Sequence, residues 1–157
     1  MPVKVKVKSQ ASDRRSQIVD AAARLFAAFG DEATSVSQIA DEVDILAGSL
    51  YHHFATKEQM LHHFLQGRLA RLTHDNQRMA QLPVDAEHRF VASVIMRFRE
   101  YVENWEFHTI LLQEGRFFRR HKEFAYVVKA KSRAFGVQQA ILQDGMESGL
   151  FRPDIDT

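Results

Sequence analysis

Thr34-Ser-Val-Ser-Gln-Ile-Ala-Asp-Glu-Val-Asp-Ile-Leu-Ala-Gly-Ser-Leu-Tyr-His-His-Phe54 reads as two short helices around a tight turn. Ser35 and Gln38 stand three apart, the spacing of a capping box, in which the two side chains satisfy each other's orphan backbone N–H groups. Val36, Ile39, Ala40 and Val43 supply a two-turn apolar face. Asp44 then breaks the period, and Asp tolerates the left-handed backbone of a turn better than most residues. A second helix follows over about Leu46 to Phe54, anchored by Leu50 and Phe54 one turn apart. Short helix, three- or four-residue turn, short helix is the helix-turn-helix layout.

Outward from this unit the period stays helical. Upstream, Ile18, Ala22, Leu25, Phe26 and Phe29 fall on one stripe of an amphipathic helix that starts near Ser12 and Asp13 and stops at Gly30. Downstream, Met60, Leu61, Phe64, Leu65, Leu69 and Leu72 predict a long helix from Lys57 to about residue 80, closed by Leu82-Pro83. Phe90, Val91, Val94, Ile95, Phe98, Tyr101 and Val102 mark another over about 85–104, a shorter one covers about 105–114, and the last runs over about 122–148 to Gly149. Residues 1–11, with Val and Lys alternating, read as a basic arm because a lone strand here has nothing to pair with.

Composition narrows the class. The 157 residues carry no Cys, which excludes a disulfide scaffold, a thiolate metal site and a Cys nucleophile. Seven Gly and three Pro leave few places to break a helix. There is no signal-peptide core and no apolar run near the ~18–20 residues that span a bilayer, so a cytoplasmic protein without membrane contact is expected. His52-His53 and His62-His63 suggest metal, but neighbouring side chains diverge by ~100° on a helix and no His pair has the i, i+4 spacing of a helical chelate. No catalytic Ser context or paired carboxylates appear. Neither an enzyme, a metal site nor a cofactor is expected.

On the second short helix, small Ala47, Gly48 and Ser49 would let its start approach base edges and phosphates closely. Tyr51 and His53 offer a hydroxyl and an imidazole to phosphates, which position a protein without reading sequence. Lys57 offers a further phosphate partner. Taken singly, each of these residues also suits an ordinary packing surface. In order, Ile18-x-x-Ala21-x-x-x-Leu25-Phe26-x-x-x-Gly30, Thr34-Ser-Val-x-x-Ile39-Ala40 and Ile45-Leu-x-Gly48-Ser-Leu-Tyr-His-His-Phe54-x-x-Lys57-Glu-x-x-Leu61 strongly resemble the TetR/AcrR family of one-component bacterial repressors. The resemblance implies an all-α chain: a basic arm (1–11), a three-helix DNA-binding domain (12–56) and a helical ligand-binding and dimerisation domain (57–157). It further implies a homodimer on a palindromic double-stranded operator, with Ser35, Ser37, Ala47, Gly48, Ser49, Tyr51, His53 and Lys57 at DNA-contact positions. Two positions depart from the family's habit. Asp44 stands where Gly is usual, and Leu46 where a polar residue is usual.

Net charge is only +1, but it is unevenly spread. Thr34 to Phe54 holds no Lys or Arg and carries Asp41, Glu42 and Asp44. Residues 1–24 hold six basic (Lys4, Lys6, Lys8, Arg14, Arg15, Arg24) against two acidic groups, net +4, and are expected to supply much of the salt-dependent affinity. Residues 115–133 hold seven basic groups against Glu123, net +6, which suits either a solvated face or the rim of an anion site. Aromatics concentrate nearby. Phe98, Tyr101, Trp105, His108, Arg116, Phe117 and Arg120 are the candidate ligand residues, although plain core packing accounts for single aromatics equally well.

The segment Ile45 to Glu58, together with Gly149-Leu-Phe-Arg-Pro-Asp-Ile-Asp156, looks like actinobacterial repressors of steroid and fatty-acid breakdown, which implies an acyl-CoA thioester as effector. Family members commonly run on past this segment into two more helices that pair with the partner's copies. This chain stops at Thr157, so the expected fold lacks those last two helices, dimerisation is expected of the full-length parent, and apolar faces of 85–104 and 122–148 are expected to stand exposed. The alternative class is a helical small-molecule carrier that does not touch DNA.

Overall fold

The computed structural model describes residues 10–154, and every regular element among them is helical. The chain order is α1 (Gln10–Phe29), α2 (Val36–Glu42), α3 (Ala47–Leu50), α4 (Lys57–Ala80), α5 (Ala86–Glu103), α6 (Trp105–Gln113), α7 (Gly115–Arg120), a 3-10 turn (Lys122–Phe124) and α8 (Ala125–Glu147). Two compact units divide the chain, Met1–Phe64 and Leu65–Thr157, with α4 running through the boundary between them. Of the expected basic arm, residues 1–9, with Lys4, Lys6 and Lys8, lie outside the described residues, while Gln10 and Ala11 already belong to α1.

In the first unit Ile18, Ala22, Phe26, Ile39, Ala40, Leu50, Phe54, Met60 and Leu61 form the core. Each is at most 1 % exposed, so the predicted stripe of α1 does converge with the faces of α2, α3 and early α4. Phe29 departs from that stripe: it is the last residue of α1 and 62 % exposed, one step before Gly30 turns the chain at φ 83°. Between α2 and α3, Asp44 adopts φ 53°. Its N–H bonds the Asp41 carbonyl at 3.2 Å and the Ile45 N–H bonds the Ala40 carbonyl at 3.0 Å, the paired bonds of a Schellman stop.

α3 is shorter than its pattern predicts. Regular helix ends at Leu50, and Tyr51 to His53 tighten into a turn whose N–H groups reach back three residues, His52 to Ser49 and His53 to Leu50 at 3.2 and 2.9 Å. The cause is the need to bury Phe54 while freeing the chain for Thr56, whose hydroxyl caps α4 by accepting from Gln59 N at 3.3 Å.

The second unit packs Leu65, Leu69, Phe107, Ile110, Phe118, Phe124, Val127 and Ile141. α5 and α8 lie together, tied by an Arg89–Asp144 ion pair and by Arg97 donating to Gln138 Oε1 at 3.1 Å. Periodicity does not reveal α7, because its six residues, Gly115 to Arg120, make less than two turns; Phe118 alone anchors it fully. The exposed faces expected on 85–104 and 122–148 are present. Val91, Ile95, Phe98 and Val102 on α5 and Phe135 on α8 are each at least half exposed.

Candidate nucleic-acid interface and ligand cavity

Ser35 caps α2 as its spacing predicts: its hydroxyl accepts from Gln38 N at 3.2 Å and Gln38 Oε1 accepts from Ser35 N at 2.7 Å. The box fixes where α2 begins. Ser35 and Ser37 are exposed at that start, and Gly48, Ser49 and Tyr51 are exposed on and after α3; Ala47 and His53 are half-buried. With Leu50 and Phe54 anchored in the core, the opposite side of α3 faces outward. A Cβ built on Gly48 meets nothing within 4 Å, so this face is open.

The basic residues of α1 brace the unit. Arg14 donates to the Val43 carbonyl at 3.1 Å, beside the turn, and Arg24 pairs with Glu42 at 3.2 Å. Arg15 donates to the His53 carbonyl at 3.1 Å with its guanidinium 4.2 Å above the Phe54 ring. These arginines therefore hold α2 and the end of α3 against α1, while Arg15 and Arg24 remain exposed cations.

Lys57 sits differently from a free phosphate contact. Its ammonium donates to the Asp31 and Thr34 carbonyls, the latter at 2.9 Å, and lies 3.6 Å from the Asp31 carboxylate. An ammonium has three N–H donors, and three acceptors of the α1–α2 loop surround this one. Lys57 thus locks the start of α4 to the loop leading into Ser35.

In the second unit a cavity of about 460 Å³ is lined by Leu69 and Leu72 of α4, Arg97, Glu100 and Tyr101 of α5, His108 and Leu111 of α6, and Lys131, Ala134 and Phe135 of α8. Of the seven ligand candidates it takes only Tyr101 and His108, whose rings stack at 4.0 Å. Phe98, Trp105, Arg116 and Arg120 are exposed elsewhere, and Phe117 belongs to a cluster with Phe118, His121 and Phe124. That cluster packs α7 against the 3-10 turn that follows it. Sequence periodicity does not single out Arg97 and Glu100, which lie two turns and one turn before Asn104 on an element whose period shows only its apolar side.

Burial holds the His108 imidazole below its ordinary pKa, with the Glu100 carboxylate 3.9 Å from Nε2. Arg97 Nε and His108 Nε2 are buried without a hydrogen-bond partner. A neighbouring cavity of about 350 Å³ shares Ala134 and is lined by Asn76, a residue 4 % exposed whose Nδ2 also has no partner. Buried polar groups normally find partners, so these three groups mark places that a bound molecule could satisfy. Glu100 is in turn tied to α4, since Asn104 donates to it at 3.2 Å and accepts from Arg68.

Among the described residues no His, Asp or Glu cluster could hold a metal ion, and no helix is long and apolar enough to cross a membrane.

Residues 18–64 match the model of bacterial regulatory proteins of the tetR family. The transcriptional repressor KstR2 of Mycobacterium tuberculosis is 32% identical over 152 residues, which cover 96% of this chain and 76% of the relative. Among solved structures, that of the ketosteroid transcriptional regulator KstR2 of M. tuberculosis superposes with a TM-score of 0.82 at 32% identity over 99% of this chain and 77% of the other. A probable transcriptional regulatory protein, RHA5900, gives 0.85 at 32% identity over 90% and 76%. With this family match and these relatives covered over most of their length, the chain belongs to the tetR family as a DNA-binding transcriptional repressor that is not an enzyme.

Proposed function

We propose that two copies of the chain bind a palindromic operator through the face formed by Ser35, Ser37, Ala47, Gly48, Ser49, Tyr51 and His53, and that an effector in the cavity of residues 65–157 releases them. The observation that carries the docking is the pairing of an exposed, uncrowded Gly48-Ser49 surface with fully buried Leu50 and Phe54 behind it. Side chains small enough to admit the groove sit on a support stiff enough to hold register. Arg14, Arg15, Arg24 and Lys57 act as braces of that support. Pairing of two copies is supported by the exposed Val91, Ile95, Phe98 and Val102 strip, too large an apolar face for a helix meant to meet water.

The effector reading is an acyl-CoA thioester. The apolar cavity suits the acyl group, Arg97 and His108 suit its carbonyl oxygen, and the nucleotide part would lie outside along the cations that include Lys131 and Arg133. A relative described as a ketosteroid regulator supports a bulky acyl group. Occupation near Glu100 is transmitted to α4 through Asn104 and Arg68, and a shift of α4 carries the recognition helices off half-site spacing.

Native mass spectrometry of the purified protein and an acyl-CoA titration of the protein–operator complex test the effector. Release by an acyl-CoA in the wild type, lost in Arg97→Met, supports the reading. Indifference of the complex to acyl-CoA thioesters of every chain size overturns it.

A further inference from the structure

We propose that Leu46 is a specificity-determining residue of the operator contact, reading the 5-methyl group of a thymine in the major groove. This rests on the docking face proposed above. Leu46 is 80 % exposed, the most exposed large apolar side chain among the described residues. Four residues on, Leu50 is fully buried. In a continuous helix the two would share one face, but Leu46 holds extended backbone at φ −69° and ψ 139°, which turns its side chain away from the core.

That backbone is fixed. The Leu46 carbonyl accepts from Ser49 N at 2.9 Å and from Leu50 N at 3.3 Å, so it begins α3 while its side chain caps nothing. A polar residue at this cap position would donate or accept locally; Leu can do neither. Exposed leucines are ordinary on protein surfaces. This one, however, stands at the leading edge of the element whose next three residues are Ala47, Gly48 and Ser49, all too short to compete with it for the groove floor. The one apolar feature that the major groove offers is the thymine methyl. Removal of a methyl contact of this kind weakens binding roughly fourfold per site.

The test uses a duplex taken from upstream of the protein's own coding sequence, with each thymine replaced in turn by deoxyuridine. The replacement deletes the methyl and keeps every hydrogen-bonding group. Wild-type affinity should fall about fourfold per site at one position of each half-site. Leu46→Ala should bind the unaltered duplex more weakly by the same factor and be indifferent to that one replacement, with melting temperature unchanged. Wild-type binding that ignores every thymine replacement overturns the inference, as does a Leu46→Ala protein that keeps the wild-type pattern. Failure of the wild type to bind any duplex would instead overturn the docking face on which the inference rests.

Discussion

Replacing Lys57 with Met removes the ammonium that the α1–α2 loop surrounds. Hydrogen bonds to a charged group contribute ~1.5–3 kcal/mol each when buried. The Lys57 side chain is 21 % exposed and that of Asp31 8 %, so solvent repays part of the loss. A fall of about 2 kcal/mol follows, or roughly 4–8 °C in melting temperature for a chain of this size. Operator affinity falls too, because the loop no longer fixes the start of α2 at Ser35. The salt dependence separates this from a direct contact. Each neutralised phosphate adds about 0.9 to the slope of log K against log salt, and a brace adds nothing. Fluorescence anisotropy between ~50 and ~200 mM salt should therefore show weaker binding by Lys57→Met with an unchanged slope. A slope reduced by about 0.9 per chain, with an unchanged melting temperature, would refute the reasoning and return Lys57 to the phosphate contacts.

Three further outcomes test the packing. A Cβ at Gly145 runs into the Phe151 ring, which packs edge-on against Phe90 at 5.9 Å; Gly145→Ala should cost about 1–3 kcal/mol, read by thermal melting, and the double variant with Phe151→Ala should lose less than the sum. Burial favours the neutral form of His108, so its contribution is complete above the unfolded value near 6.5 and is lost as pH falls below it. The wild type should therefore lose more melting temperature between pH 7.5 and 5.5 than His108→Phe, which keeps a ring against Tyr101; equal losses would count against His108 as the source. Arg97→Met should leave α5 and α8 packed but remove the buried unpaired Nε from the cavity wall, so effector response should fall while operator affinity stays within about twofold of wild type.

The frame of this protein was legible because it is local. Ser35 and Gln38 announce a cap by spacing, Asp44 announces a left-handed turn by chemistry, and Gly30 and Gly149 take positive φ where helices stop. Three things were hidden. Phe29 continues the stripe of α1 by period yet faces solvent, because a period cannot show where the partner helices end. Lys57 reads as a free cation, since nothing in its neighbourhood of sequence reveals the carbonyls of residues 31 and 34. The cavity draws Leu69, Arg97, His108 and Lys131 from four helices. Long-range convergence of that kind leaves no local spacing to read: among the aromatics that stand out Tyr101 lines the cavity, whereas Phe117 packs around Phe118 and Phe124.

Two exposed helical glycines allow a direct comparison, because a Cβ meets nothing within 4 Å at either Gly48 or Gly67. Gly48→Glu sets a carboxylate on the proposed docking face; Gly67→Glu adds the same charge on α4, outside that face. Bringing like charges together costs several kcal/mol. Anisotropy with one operator duplex should show Gly48→Glu losing at least ~100-fold in affinity while Gly67→Glu stays close to wild type, both with wild-type melting temperatures. Equal affinities for the two variants would contradict the account, since DNA would then be held by some other surface.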